Sequence, residues 1–156
     1  MRLSDNLSLA ECLRSDTAKR LGIKNTPHED WVIENLRAVA EHVFQPLRDG
    51  LGVPIYVSSG YRSPELNDAI GGSSRSQHME GRALDLDADV LGGTSNCDVF
   101  HYIKNNLVFD QLIWEFGSED SPDWVHVSFI YDGPNRNRCL RANRDEKGST
   151  YYEVIV

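Results

Sequence analysis

The sequence predicts an α+β fold, a small antiparallel sheet packed with helices, and three observations predict it. Apolar residues recur at helical spacing from Val32 to Leu47, a stripe wide enough to cover one face of a sheet. Short segments rich in β-formers stand at residues 54–59, 83–87, 109–116 and 124–130. These helical and extended segments mix without a βαβ rhythm, which disfavours a parallel sheet.

Taken in order, Ser8 and Glu11 have the spacing of a capping box, and Ser15 is placed to cap a second short helix closing at Gly22. Thr26, Pro27 and Glu29 then read as N-cap, first helical residue and third residue of the main amphipathic helix, residues 27–48. The turn Asp49-Gly50-Leu51-Gly52 precedes a strand at 54–59, and Ser63-Pro64 opens a short helix ending at Gly71-Gly72. Alternation in Ala83-Leu84-Asp85-Leu86-Asp87 turns Asp85 to one face and the two leucines to the other. A helix over 95–106 is followed by strands at 109–116 and 124–130, whose short acidic connection favours an antiparallel pair. Residues 151–156 add a final edge strand.

The 156 residues, 40% of them hydrophobic, fit one domain with a core spanning about residues 26–130. The expected state is a monomer. A net charge of −8 argues against a nucleic-acid surface. The local cluster Arg136, Arg138, Arg141 and Arg144 reads as a solvated loop beside Asp132, Asp145 and Glu146. Three widely spaced cysteines form neither a C-x-x-C metal site nor a fully paired disulfide framework, so a reducing compartment is expected. The N-terminus lacks a signal-peptide pattern and no stretch has the ~20 apolar residues of a membrane span. The expectation is a protein that is cytoplasmic as synthesised.

The chemistry concentrates in two motifs, S-x-H-x-x-G-x-A-x-D over Ser76 to Asp85 and W-x-H-x-S over Trp124 to Ser128. They offer two imidazoles and a carboxylate, a ligand set that leaves a fourth zinc position for water and so suits a catalytic centre. Within Trp124-Val125-His126-Val127-Ser128, the valines anchor the strand while His126 faces the metal. Gly81 lies where the chain must bend from loop into strand. His28, His42 and His101 read as helix-start or helix-surface residues, and Asp87 as a neighbour supporting the ligands.

With Ser58-Ser59-Gly60-Tyr61-Arg62-Ser63 added, the chain from Thr26 to Ile130 resembles the zinc D-Ala-D-Ala carboxypeptidases and dipeptidases. Related phage and bacterial peptidoglycan endopeptidases share these motifs, and the Hedgehog signalling domain is a fold relative. Leu7-Ser8-Leu9-Ala10-Glu11 and Asp110-Gln111-Leu112-Ile113 resemble a phage-associated branch, which implies release to the cell wall during phage lysis; a cytoplasmic recycling enzyme would look the same. The resemblance implies one zinc ion on His78, Asp85 and His126, with Arg62 near the oxyanion and Ser76 and Gln77 bonded to the peptide. Two carboxylates fit the general base: Asp123, three residues before His126, and Glu115, at the end of the preceding strand.

The implied activity is hydrolysis of peptidoglycan stem peptides by a zinc-activated water. D-Ala-D-Ala, L-Ala-D-Glu and cross-bridge bonds are all open as the scissile bond. A zinc-stabilised domain that binds wall peptide or a protein partner without cutting is the alternative.

Overall fold

A computed structural model describes residues 1–155. Strands β1 (Arg2–Ser4) and β2 (Leu7–Ser8) pair antiparallel and lead into helices α1 (Leu9–Leu13) and α2 (Asp16–Leu21). The capping box forms as its spacing predicts: Glu11 N–H donates to Ser8 Oγ at 3.3 Å, and Ser8 N–H donates to Glu11 Oε2 at 2.8 Å. Ser15 caps α2, which Gly22 closes in the left-handed conformation at φ 68°.

The main helix departs from expectation at both its start and its middle. It begins at Asp30, not at Pro27, because the preceding segment is held by Asn25. The Asn25 amide donates to the Leu13 and Tyr61 carbonyls, each at 2.9 Å, and accepts from Ser63 N–H at 2.8 Å. From α3 (Asp30–Val39) the chain widens through a π-helical turn, Ala40–Phe44, into α4 (Gln45–Leu51). Pro46 explains the widening, since its ring clashes with the carbonyl four residues back and its missing N–H breaks the α-helical ladder.

Six strands form the main sheet in the order β3-β4-β6-β5-β7-β8. They are β3 (Tyr56–Ser59), β4 (Ala83–Asp87), β5 (Gln111–Glu115), β6 (Trp124–Ser128), β7 (Arg138–Arg144) and β8 (Thr150–Ile155). Val156, included in the predicted edge strand, lies outside the described residues. One face packs Leu84, Leu86, Leu112, Val125 and Val127 against Leu36, Val43 and Phe44 of the long helix and Phe100 of α5 (Asn96–Asn106). The core also takes in Leu3, Leu7 and Cys12 from the N-terminus. All three cysteines are free thiols.

Two expectations are corrected here. The sheet is mixed, because β5 and β7 run parallel with Ile113 opposite Leu140. The basic cluster is not a solvated loop: its arginines flank and occupy β7, whose Cys139, Leu140 and Ala142 are buried. Arg141 lies over the Trp114 ring at 6.0 Å and donates to Glu119 Oε1 at 2.8 Å, and Arg144 lies over Phe116 at 4.1 Å. Long apolar stems let arginine serve in a half-covered strand.

The return from β6 to β7 turns around Asp110, just before β5. Asp110 is fully buried and accepts from Arg136 Nε at 2.9 Å, Arg136 Nη2 at 2.7 Å, Arg136 N–H at 3.1 Å and Gln77 Nε2 at 2.9 Å. Its backbone carbonyl accepts from Arg138 N–H at 3.0 Å. Removing one partner of such a pair leaves the other uncompensated, although Arg136 is about half exposed and regains water. Asp110→Ala is expected to lower unfolding free energy by about 3 kcal/mol, read by urea denaturation.

Candidate metal centre and its cleft

His78 belongs to a 3₁₀ turn, Gln77–Glu80, capped by Ser76, whose Oγ accepts from His78 N–H at 3.3 Å. Gly81 closes the turn at φ 71°, and a Cβ there would stand 2.5 Å from the Val32 carbonyl oxygen of α3. Only glycine meets both demands. Asn35 of α3 also donates to the Glu80 carbonyl at 2.9 Å, so the turn is docked on the long helix.

The imidazole is oriented from the other side by Gly60. His78 Nδ1–H donates to the Gly60 carbonyl oxygen at 2.6 Å. Gly60 is pressed on α1, where a Cβ would come within 2.5 Å of the Cys12 carbonyl oxygen, and Tyr61 N–H donates to that same oxygen at 2.8 Å. With Nδ1 committed as donor, a neutral His78 turns the lone pair of Nε2 inward.

Asp85 and His126 are direct cross-strand partners on β4 and β6. Asp85 Oδ1 stands 3.2 Å from His78 Nε2 and 3.1 Å from His126 Nδ1, and one donor atom from each residue lies within 4.8 Å of the others. A lone pair of His78 thus faces a carboxylate oxygen, an arrangement of acceptors that a cation relieves. The donor types and the convergence fit a metal ion such as zinc. When the two imidazoles are instead protonated and donate to Asp85, their pull outweighs the upward push of burial and holds its carboxyl below the ordinary carboxylate range.

Glu115 ends β5 on the face that carries Ile113, the cross-strand partner of His126. It is 9% exposed, and burial, aided by Asp85, pushes its carboxyl up to about 7 against the opposing pull of His126, Arg62 and Arg144. The chain turns sharply after it: Phe116 and Gly117 both take left-handed conformations, at φ 56° and 73°. That conformation is costly for phenylalanine, and the Phe116 ring is held between Trp124, 5.6 Å away, and Arg144.

Arg62 reaches the same cleft. Its backbone N–H donates to the His78 carbonyl at 3.1 Å, Nη2 donates to Ser76 Oγ at 3.3 Å, and buried Nε has no partner. Burial lowers its pKa while the negative charges of Asp85 and Glu115 oppose the shift.

Arg62, Ser76, Gln77, His78, Glu115 and His126 all line one cleft of about 590 Å³. Asp123 is not among its lining residues. It is exposed ahead of β6, at an odd offset from His126 in extended chain, with its N–H donated to the Glu115 carbonyl at 2.9 Å. Ser76 is occupied as a cap and as the Arg62 acceptor. Gln77 gives its amide nitrogen to Asp110 and retains a buried Oε1 without a partner.

The sequence pattern of the peptidase M15 family matches residues 5–128. The chain belongs to the peptidase M15 family. Zinc D-Ala-D-Ala carboxypeptidase of Streptomyces albus G is 45% identical over 49 residues, which are 31% of this chain and 19% of that protein. The chain therefore spans about a fifth of that relative's length. The M15 match includes His78, Asp85, Glu115 and His126 and ends before β7 and β8.

Three supporting roles escaped the sequence reading: those of Asn25, of Asn96, and of Asp110, which reads there only as part of a motif. Buried Asn96 accepts from Ala88 N–H at 2.7 Å and donates to the Asp123 carbonyl at 3.0 Å, tying the end of β4 to the start of β6. Its position just after the N-cap Ser95 gave it the appearance of an ordinary first-turn polar residue.

The elevated Glu115 pKa has a consequence for stability in metal-free protein. The folded chain keeps a proton that the unfolded chain releases above the ordinary value of 4.5, so stability falls as pH rises from about 4.5 to about 7. Glu115→Gln removes that penalty. At pH 8 the chelator-treated variant is expected to be more stable than the parent by on the order of 2–3 kcal/mol in urea unfolding, with the gap closing toward pH 4.5.

Proposed function

We propose that the protein is a zinc-dependent metallopeptidase that hydrolyses peptide bonds in peptidoglycan stem peptides, as a D-Ala-D-Ala carboxypeptidase or an endopeptidase. The observation that carries this reading is the convergence of His78, Asp85 and His126, with His78 and His126 lining one cleft beside a buried carboxylate and a guanidinium. Family membership and the activity for which the Streptomyces relative is named support it.

In this reading His78, Asp85 and His126 would hold one zinc ion, which would supply Lewis acidity to the scissile carbonyl and to a water. Glu115 takes the proton from that water and returns it to the leaving amine. A carboxyl poised near 7 suits both transfers, because it gains and gives up a proton at little cost near neutral pH. Arg62, with donors free of acidic partners, stabilises the oxygen that becomes negative during attack. Gln77 Oε1, a buried acceptor without a donor, suits a peptide N–H of the substrate.

Between the two candidate bases, Glu115 is the better supported, since it lines the cleft and Asp123 does not. Glu115→Gln is expected to lower turnover of purified peptidoglycan ~10²–10⁴-fold with zinc content retained. Asp123→Asn is expected to stay within a few-fold of the parent. If the zinc-loaded parent leaves both wall and stem-peptide fragments uncut, the chain is a binding domain. Mass spectrometry of the released fragments identifies the bond.

A further inference from the structure

The cleft does not end at the metal centre. It continues across the sheet to Arg138 and Leu140 of β7 and Tyr152 of β8, and Arg75 stands in its wall from the loop before the 3₁₀ turn. These β7 and β8 residues lie beyond residue 128, where the M15 match ends. This part of the wall is therefore built by a segment outside the family correspondence.

Its charge runs against the rest of the chain. Acidic residues outnumber basic ones by 24 to 16 overall, yet the cleft is lined by three arginines, Arg62, Arg75 and Arg138, and one carboxylate, Glu115. Four other arginines are engaged: Arg82 with Glu80, Arg136 with Asp110, Arg141 with Glu119, and Arg144 over Phe116. Among the described residues, neither Arg75 nor Arg138 has a carboxylate partner, and both are exposed to the cleft's solvent. Two guanidinium groups without a carboxylate partner in the lining of one cleft raise the local concentration of anions and present planar forks that match a carboxylate.

We infer that Arg75 and Arg138 form an anion-recognising subsite, and that the peptide cut in this cleft carries a free carboxylate away from the scissile bond. The inference rests on the peptidase reading and adds a specificity that the metal centre does not supply. Leu140 and Tyr152 give the same stretch an apolar floor for the peptide chain.

The test uses zinc-loaded protein and a synthetic pentapeptide stem whose second residue, D-glutamate, has its α-carboxyl either free or amidated. Turnover and binding are both measured, binding by titration calorimetry on the Glu115→Gln variant so that the peptide survives. The free-acid peptide is expected to bind and react with ~10-fold higher affinity and kcat/KM, a preference that shrinks as salt rises. In Arg75→Gln/Arg138→Gln the preference should fall to within about 2-fold, through KM rather than kcat. Circular dichroism and the thermal midpoint check that the double variant is folded.

Equal treatment of the two peptides by the parent, or a preference that survives in the double variant, overturns the subsite while turnover leaves the peptidase reading standing. Tighter binding of the free acid without cleavage of either peptide keeps the subsite and removes the peptidase reading. Failure to bind either peptide overturns the subsite.

Discussion

The hydrogen bond from His78 Nδ1–H to the Gly60 carbonyl is the interaction on which the rest of the site depends. At 2.6 Å it fixes both the tautomer and the plane of the ring, so that Nε2 points at Asp85 rather than at solvent. The carbonyl is there only because Gly60 lies flat on Cys12, and Cys12 is there because β1, β2 and α1 fold into the main core. The N-terminal segment, remote from the chemistry, therefore acts through one backbone oxygen. Gly81 plays the corresponding part on the opposite side, letting the turn rest on the backbone of α3.

Two carboxylates on one sheet face have been pushed in opposite directions. Asp85 sits between two imidazoles and is held ionised, whereas Glu115 is withdrawn behind the strand end, where burial favours its proton. In the proposed reaction Asp85, as a metal ligand, needs the first condition and Glu115, as a proton carrier, the second. Strand register produces the difference without any special residue type: Asp85 lies directly across from His126, and Glu115 lies two pairs further along, opposite Trp124. The left-handed Phe116 then ends the strand.

Much of this was legible in the sequence because it is local. Alternation in 83–87 and 124–128 gives the facing of Asp85 and His126, and the Ser8, Ser15 and Ser63 caps are short-range hydrogen bonds with fixed spacing. What stayed hidden is long-range. β7 reads as a loop because arginines stand at 138, 141 and 144 and mask the buried Cys139, Leu140 and Ala142. Its parallel pairing with β5 leaves no signature in either strand. The helix start at Thr26-Pro27 was good local chemistry overridden by Asn25, whose three hydrogen bonds reach residues 12 to 38 positions away. Asn96 and Asp110 look like surface polar residues until the segments they join are brought together.

The pairing of Arg136 with Asp110 bears on more than the stability of the turn it closes. Side chains on a strand alternate, so moving β7 by one residue against β5 would exchange its two faces entirely. Arg138 and Leu140 would leave the cleft, and Cys139 and Arg141 would enter it. Nothing in the pattern R-C-L-R-A-N-R forbids that alternative, since arginine and small apolar residues occur on both faces. The bidentate grip on Asp110, two residues before Arg138, admits one register only. A buried carboxylate outside the metal centre thereby decides which side chains the cleft presents to its ligand.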